Sequence, residues 1–309
     1  MPRFVRKLAL LAKVETTYGV DATPTGGANA ILATNVVFTP MAGSEESREL
    51  LLPYLGAQGV ILTGEHTIIE FSVELAGSGT AGTAPGFGPL LRGCGMAETI
   101  NAGDDVEYAP VSAAFEALTL YYNLDGVRHI ILGARGNMSL ELTPQRIPRM
   151  RFRFVGLAGT ISDAALPVPT LSAFQAPVVV SKANTTLSLH GYAGPCDAFS
   201  MDLGNQVEPR LVINHESVDI GDRNVTGSAT VEAALLATKN WFAIAKARTR
   251  DALSVVHGTV AGNIAKIDCG AVEIGRPTQG QTQGGIATYQ VGLTMVPTTG
   301  NDEVVLTFA

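Results

Sequence analysis

The 309 residues carry a formal charge of −7, are 46% hydrophobic and only 16% charged. The hydrophobic content excludes a disordered chain, and the length predicts about two domains. The acidic balance excludes a protein that grips nucleic acid by neutralising phosphates, though not one past which nucleic acid slides without sticking.

Free soluble monomers are roughly a quarter charged, so the deficit predicts a surface largely covered by other subunits. Cys94, Cys196 and Cys269 form no CxxC pair, which argues for free thiols rather than a disulfide framework or a zinc site. Basic Arg3, Arg6 and Lys7 precede an apolar run, Leu8 to Ala12, too short for a signal-peptide core. No segment reaches transmembrane length, so no membrane insertion and no secretion route are expected.

Along the chain, Val14 to Asn35 is rich in Thr, Gly, Ala and Pro without a period and reads as an extended arm. Pro40 to Gly64 is a long polar excursion interrupted by apolar Leu50 to Leu55. Thr67 to Leu75 alternates, with Ile69, Phe71, Val73 and Leu75 on one face and Ile68, Glu70, Ser72 and Glu74 on the other. That is a half-buried strand of an antiparallel sheet. A short helix is expected near Pro89 to Met96, then a hairpin from Leu120 to Gly133 around Asp125-Gly126. Two further strands follow, at Gly136 to Pro144 and around Arg149 to Leu157, and Leu166-Pro-Val-Pro-Thr170 reads as a stiff linker.

The later half rhymes with the earlier one. Asp202 to Val225 is a second long polar excursion. Ser228 to Leu235 alternates with Ala229, Val231, Ala233 and Leu235 inward, and Ala237 to Arg248 reads as a helix with Trp241, Phe242, Ile244 and Ala245 as its core stripe. A hairpin around Gly262-Asn263 and strands at Gly270 to Pro277 and Gln290 to Leu293 complete the unit. One mismatch stands out: Phe152 and Phe154 align with Thr288 and Gln290. The repeat predicts a mainly β chain of two tandem β-sandwich domains, residues 36–165 and 166–309, each with a short helix and a long loop, after an arm at 1–35. A repeated β unit presents one surface twice, which points to symmetry and assembly.

Signals of chemistry are weak. Gly77-Ser-Gly79-Thr-Ala-Gly82 matches the dinucleotide pattern, but the strand before it alternates and the helix after it is short and glycine-broken. His66, His129, His190, His215 and His257 lack metal-ligand spacing, and no GxSxG elbow occurs. Glu70 and Glu74 imitate a glycosidase pair, yet the second unit carries only Glu232 there, so a solvated acidic face is the simpler reading. Arg149, Arg151 and Arg153 form one basic strand face, expected to meet an acidic neighbouring subunit. Neither catalysis nor a cofactor is expected.

Lys13-Val-Glu-Thr-Thr-Tyr-Gly-Val-Asp-Ala-Thr-Pro24, running into Ala28-Asn-Ala-Ile-Leu32, resembles the start of the tail tube (major tail) proteins of long-tailed, non-contractile bacteriophages. The resemblance implies a virion component assembled in the bacterial host cytoplasm. It implies β-sandwich domains whose inner sheets join into a barrel around a DNA-conducting channel, six domains to a ring. With two domains per chain, three copies would close a pseudo-sixfold ring that stacks into a tube. The expected partners are further copies of the chain, tape-measure, terminator and baseplate proteins, and viral DNA passing without specific binding.

On that reading Glu70, Ser72, Glu74, Thr230 and Glu232 face the channel. Glu45, Glu46, Arg48, Glu49, Leu51, Leu52, Tyr54, Glu208, Arg210, Glu216 and Arg223 join successive rings, and Phe4 to Asn35 grips a neighbour. A terminator or baseplate ring of the same fold is the alternative. A carbohydrate-binding adhesion module is another, disfavoured because aromatics total only 6% and Trp241 lies in a core stripe.

Overall fold

Backbone pairing dominates this chain, since strands far outnumber its two short helices. A computed structural model describes residues 2–309. In chain order the elements are β1 (Leu8–Val14), β2 (Ala30–Ile31), β3 (Thr34–Ser47), β4 (Val60–Glu74), α1 (Gly88–Gly93), β5 (Met96–Asn101), β6 (Asp105–Pro110) and β7 (Leu118–Leu124). There follow β8 (Val127–Leu142), β9 (Arg149–Asp163), β10 (Thr185–Leu189), β11 (Cys196–Asp202), β12 (Asn205–Val212), β13 (His215–Arg223) and β14 (Thr226–Glu232). The last are α2 (Trp241–Ala247), β15 (Arg250–His257), β16 (Ala265–Ile274), β17 (Thr278–Gln281), β18 (Ala287–Met295) and β19 (Val305–Phe308).

Two sets of strands repeat one antiparallel pairing order. The first runs β3-β4-β9-β8-β7-β1 and the second β11-β14-β18-β16-β15-β10. A helix follows β4 in one and β14 in the other. The long excursions occupy one place: β3 and β4 extend as a hairpin from Ser47 and Val60, while β12 and β13 form a hairpin between β11 and β14.

The alternation seen in the sequence decides which face is buried. In β4, Ile69, Phe71 and Val73 are buried, and in β14 Ala229 and Val231 are. Phe71 stacks on Phe152 and Phe154 at ring separations of 5.9 and 6.0 Å. One hydrophobic core runs through both sets without a break, from Leu10 and Phe71 to Val255 and Leu293.

Four local expectations need correction. Leu235 lies past the end of β14 and is 80% exposed, because the strand stops at Glu232. Phe242 is also exposed and rests edge-on against Tyr289, while Trp241 is buried and Ile244 and Ala245 pack partly against the core. The mismatch at Thr288 and Gln290 is a misregister across the preceding loop. Phe71 pairs with Phe152 as Ala229 pairs with Val291, so buried Val291 and Leu293 stand where the first set has Phe152 and Phe154. Part of residues 1–35, finally, belongs to the chain's own sheet: β1 pairs with β7 and β2 and buries Leu10, Leu11 and Ala12.

Three contacts fasten the sets together. The C-terminal half of β8 pairs with β11, β19 lies between β16 and β6, and the Gly77 loop meets the turn at Gly262. In the last, Gly77 N–H donates to Asn263 Oδ1 at 2.7 Å and Gly79 N–H to the Gly262 carbonyl at 2.8 Å. The glycine run that imitates a dinucleotide loop is therefore filled by backbone. A Cβ on Gly77 would lie 2.1 Å from the Gly262 oxygen.

Gly77→Ala is expected to lower unfolding stability by about 1–3 kcal/mol, the usual cost of overpacking, read as a lower urea midpoint. A pH effect also follows from the buried imidazoles. Burial pulls His190 and His257 below the ordinary value of 6.5. The unfolded chain then takes up these protons first as pH falls, so their contribution is complete above pH 6.5 and is lost as pH drops through the folded values. The urea midpoint should decline from about pH 7.5 to 5.5, and His190→Gln with His257→Gln should flatten that slope.

Candidate functional site

Strand pairing carries one sheet across both sets. On its buried side, Val73, Met150, Leu140, Met201, Gly227, Leu293 and Ile274 stand in one row across β4, β9, β8, β11, β14, β18 and β16. Neighbours along each strand point the other way. Ser72, Arg151, Ser139, Asp202, Thr226 and Thr294 therefore form a polar row, as do Glu74, Arg149, Glu141, Ser200 and Ser228. Glu70 lies opposite Arg153, Thr230 opposite Gln290 and Glu232 opposite Thr288. Glu70, Ser72, Glu74, Thr230 and Glu232 thus share one face of one sheet.

The two ends of that face differ in charge. In the first set Arg151 pairs with Glu70, Arg153 reaches the same carboxylate at 3.5 Å, and Arg149 lies 3.8 Å from Glu74. The arginines expected to meet a neighbouring subunit are engaged by their own sheet. Cross-strand pairing puts them there, since β4 presents Glu70 and Glu74 opposite Arg153 and Arg149, with Arg151 diagonal to Glu70. In the second set β18 offers Thr288, Gln290 and Thr294 at the matching places, so Asp202 and Glu232 face no base there. A shallow groove of about 710 Å³ runs along the arginines, lined by Ser72, Ser139, Glu141, Arg149 and Arg151 among others.

Side chains lock the junction between the sets. Asn137 Nδ2 donates to Asp202 Oδ1 at 2.7 Å, and Asn205 N–H donates back to Asn137 Oδ1 at 3.0 Å. Within the second set, the Ser200 and Ser228 hydroxyls lie 2.9 Å apart beside this junction. Asn137, Ser139 and Glu141 were legible as the polar phase of the Gly136 run, whereas Asp202 and Asn205 fell within a stretch that shows no period.

The two hairpins stand in different surroundings. Glu45, Glu46, Arg48, Glu49, Leu51, Leu52 and Tyr54 are all exposed at the β3–β4 tip. The β12–β13 hairpin folds back over the end of the polar face instead. Its Val207, Val218 and Ile220 cluster with Val155, against Ile68, Phe115 and Leu157. Arg135 of β8 secures it by donating to the Val218 carbonyl at 2.8 Å and to Asp219 at 3.1 Å. Glu208 and Arg210 are exposed on the opposite face, and Glu216, on the face of Val218, is exposed near the turn. Arg223 is not: its side chain is 12% exposed and donates to Glu303 at 2.6 Å.

Among the described residues no group of three or more His, Cys, Asp or Glu is placed to hold a metal ion. Burial pushes the Cys94 thiol well above its ordinary value and Cys269 up to about 12. No helix is long and apolar enough to cross a membrane.

A family model described as phage tail tube protein matches residues 6–309. The chain belongs to that family. A search of the curated proteins finds no match. As a tail tube protein it is a structural component of a virion, and self-association is the behaviour its family membership suggests. The continuous polar face and the exposed hairpin are the features to weigh in that role.

Two sets of charges on this tail tube protein should respond differently to mutation. Removing Arg149, Arg151 and Arg153 together, as alanines, is expected to cost at most about 1 kcal/mol per pair, because solvent screens exposed pairs. Arg223→Ala alone leaves the buried Glu303 carboxylate unpaired and should cost about 3–5 kcal/mol. Urea titration of both variants checks the contrast.

Proposed function

We propose that this chain polymerises as stacked rings into the tail tube of a long-tailed, non-contractile phage, whose lumen conducts DNA to the host. The observation that carries the reading is the β8·β11 pairing, which makes one sheet from two strand sets of the same order. Those sets act as tandem tail tube domains, the first ending near residue 165 and the second beginning near 166. A third and a fourth domain would extend the sheet in the same way, and three copies close a pseudo-sixfold ring.

The polar face lines the lumen. Ser, Thr and Gln side chains there offer DNA no fixed cation beyond arginines already held by carboxylates, so phosphates pass without strong capture. Glu70, Glu74, Asp202 and Glu232 keep the wall from attracting the strand. The exposed β3–β4 tip, from Glu45 to Tyr54, makes contacts between copies and to the next ring. Glu208, Arg210 and Glu216 are available on the second hairpin. Arg223 is set aside as a ring contact, because its guanidinium is spent on Glu303. Tape-measure, terminator and baseplate proteins are the remaining partners, with assembly in the host cytoplasm.

Electron microscopy of the purified chain over a concentration series should show hollow rings or tubes with threefold or pseudo-sixfold class averages. A closed ring that never stacks would move the assignment to a terminator or baseplate ring. Thr230→Lys with Glu232→Lys places uncompensated cations on the wall. Tubes should still form, while the fraction of particles that deliver DNA falls; unchanged delivery would remove this face from the lumen.

A further inference from the structure

Among the described residues, β3 and β17 are two of the strand edges that have a partner on one side only. β3 pairs with β4 alone and β17 with β18 alone. Both stand at positions whose counterparts are joined inside the chain. In the first set Met150 lies between Val73 and Leu140, and in the second Tyr289 lies between Val231 and Gln279. Val73 and Val231 hold the same place in the repeat, so Gln279 stands where Leu140 stands. Thr278–Gln281 is then the counterpart of Ser139–Leu142, the four residues of β8 that pair with β11.

The other edge matches in the same way. Met201 of β11 lies opposite Gly227, two residues before Ala229. Phe38 of β3 lies opposite Ile69, two residues before Phe71. Phe38 is therefore the counterpart of Met201, and Thr39 of Asp202.

We infer that β17 of one copy receives β3 of a second copy, antiparallel, in the register of the internal β8·β11 junction. Transferring that register places Thr278 opposite Thr39, Gln279 opposite Phe38 and Gly280 opposite Val37. The inference rests on the assembly proposed above and names the surface that closes it. All four residues of β17 are exposed, and Val37 is 62% exposed, as edges awaiting a strand would be. An unpaired edge of this kind is a template for another chain unless it is blunted. β17 carries no charge, no proline and no bulge against its partner β18.

The hairpins give independent support for the same occupant. β12–β13 covers its apolar residues by folding over the first strand set of its own chain. The β3–β4 extension holds the same topological place, but among the described residues its apolar side chains are left uncovered. Its Met41, Val60, Ile61 and Leu62 are each more than half exposed. Seating β3 on β17 of a second copy carries that hairpin over the second copy's second strand set, where those residues gain cover.

The full chain carrying both Thr39→Cys and Thr278→Cys tests the register. Directly opposed residues in antiparallel strands have Cα atoms about 4.5–5.5 Å apart, within disulfide reach. Oxidised assemblies run without reductant should give covalent dimers and trimers absent from the wild type and from Ser47→Cys with Thr278→Cys. Val37→Cys with Gly280→Cys provides a second pair if the first folds poorly. The same samples are imaged. Rings or tubes in which neither in-register pair cross-links overturn this interface while the tube reading stands. Monomers at every concentration, with no cross-link, overturn both.

Discussion

Satisfying the backbone hydrogen bonds of strand edges is the constraint on which the rest of this structure depends. A chain so rich in strands, with so few charges to shield its surface, must give its edges partners. β8 provides the central one. β9 runs along its whole length, with β7 on the other side of its N-terminal half and β11 on the other side of its C-terminal end. The strand bends where pairing slips between Leu132 and Arg135, at Gly133 with φ 58°. Glycine is required there for close approach as well, since a Cβ would lie 2.7 Å from the Tyr18 ring. Glu15 completes the corner by accepting from Gly133 N–H and from the Thr119 hydroxyl. The segment that resembles a tail tube N-terminus therefore has an internal role, supporting the bend that lets the sheet continue.

The electrostatic design of the polar face is uneven along that sheet. Glutamates on β4 and arginines on β9 cancel one another, whereas β11, β14 and β18 of the second set carry hydroxyls and amides with Asp202 and Glu232 opposite no base. The Arg250–Glu273 pair lies beyond them on β15 and β16. On the proposed reading, a lumen wall is made unattractive to a polyanion by repulsion or by leaving no free cation, and the two sets use different routes. The acidic net charge of the sequence is consistent with both but distinguishes neither.

Much of the fold was legible because alternation is a strong local signal. β4, the β7–β8 hairpin and α2 appear where period and turn residues place them, and the repeat pointed to a topology common to both halves. What was not legible depended on contacts between distant residues. The β12–β13 hairpin reads as polar loop because only three of its apolar residues, Val207, Val218 and Ile220, are buried, and their cover comes from Val155 and Phe115 far away in sequence. The arginines of β9 look like a surface for a partner until β4 is set beside them. Phe242 has the spacing of a core residue, yet α2 touches the core over a single turn. In each case the sequence specified the chemistry of a residue, and pairing across the fold specified its use.

The placement of β19 bears on how the chain reaches its native state. β6 forms its second ladder with Leu306, Thr307 and Phe308, and Phe308 fits edge-on against Phe87 and Tyr108. Residues near position 107 thus wait for partners almost two hundred positions later, a separation of the kind that slows folding. During translation the β6 edge stays open until Leu306, Thr307 and Phe308 leave the ribosome. The chain closes this seam only after β19 has been made, which favours completing both strand sets before copies begin to join.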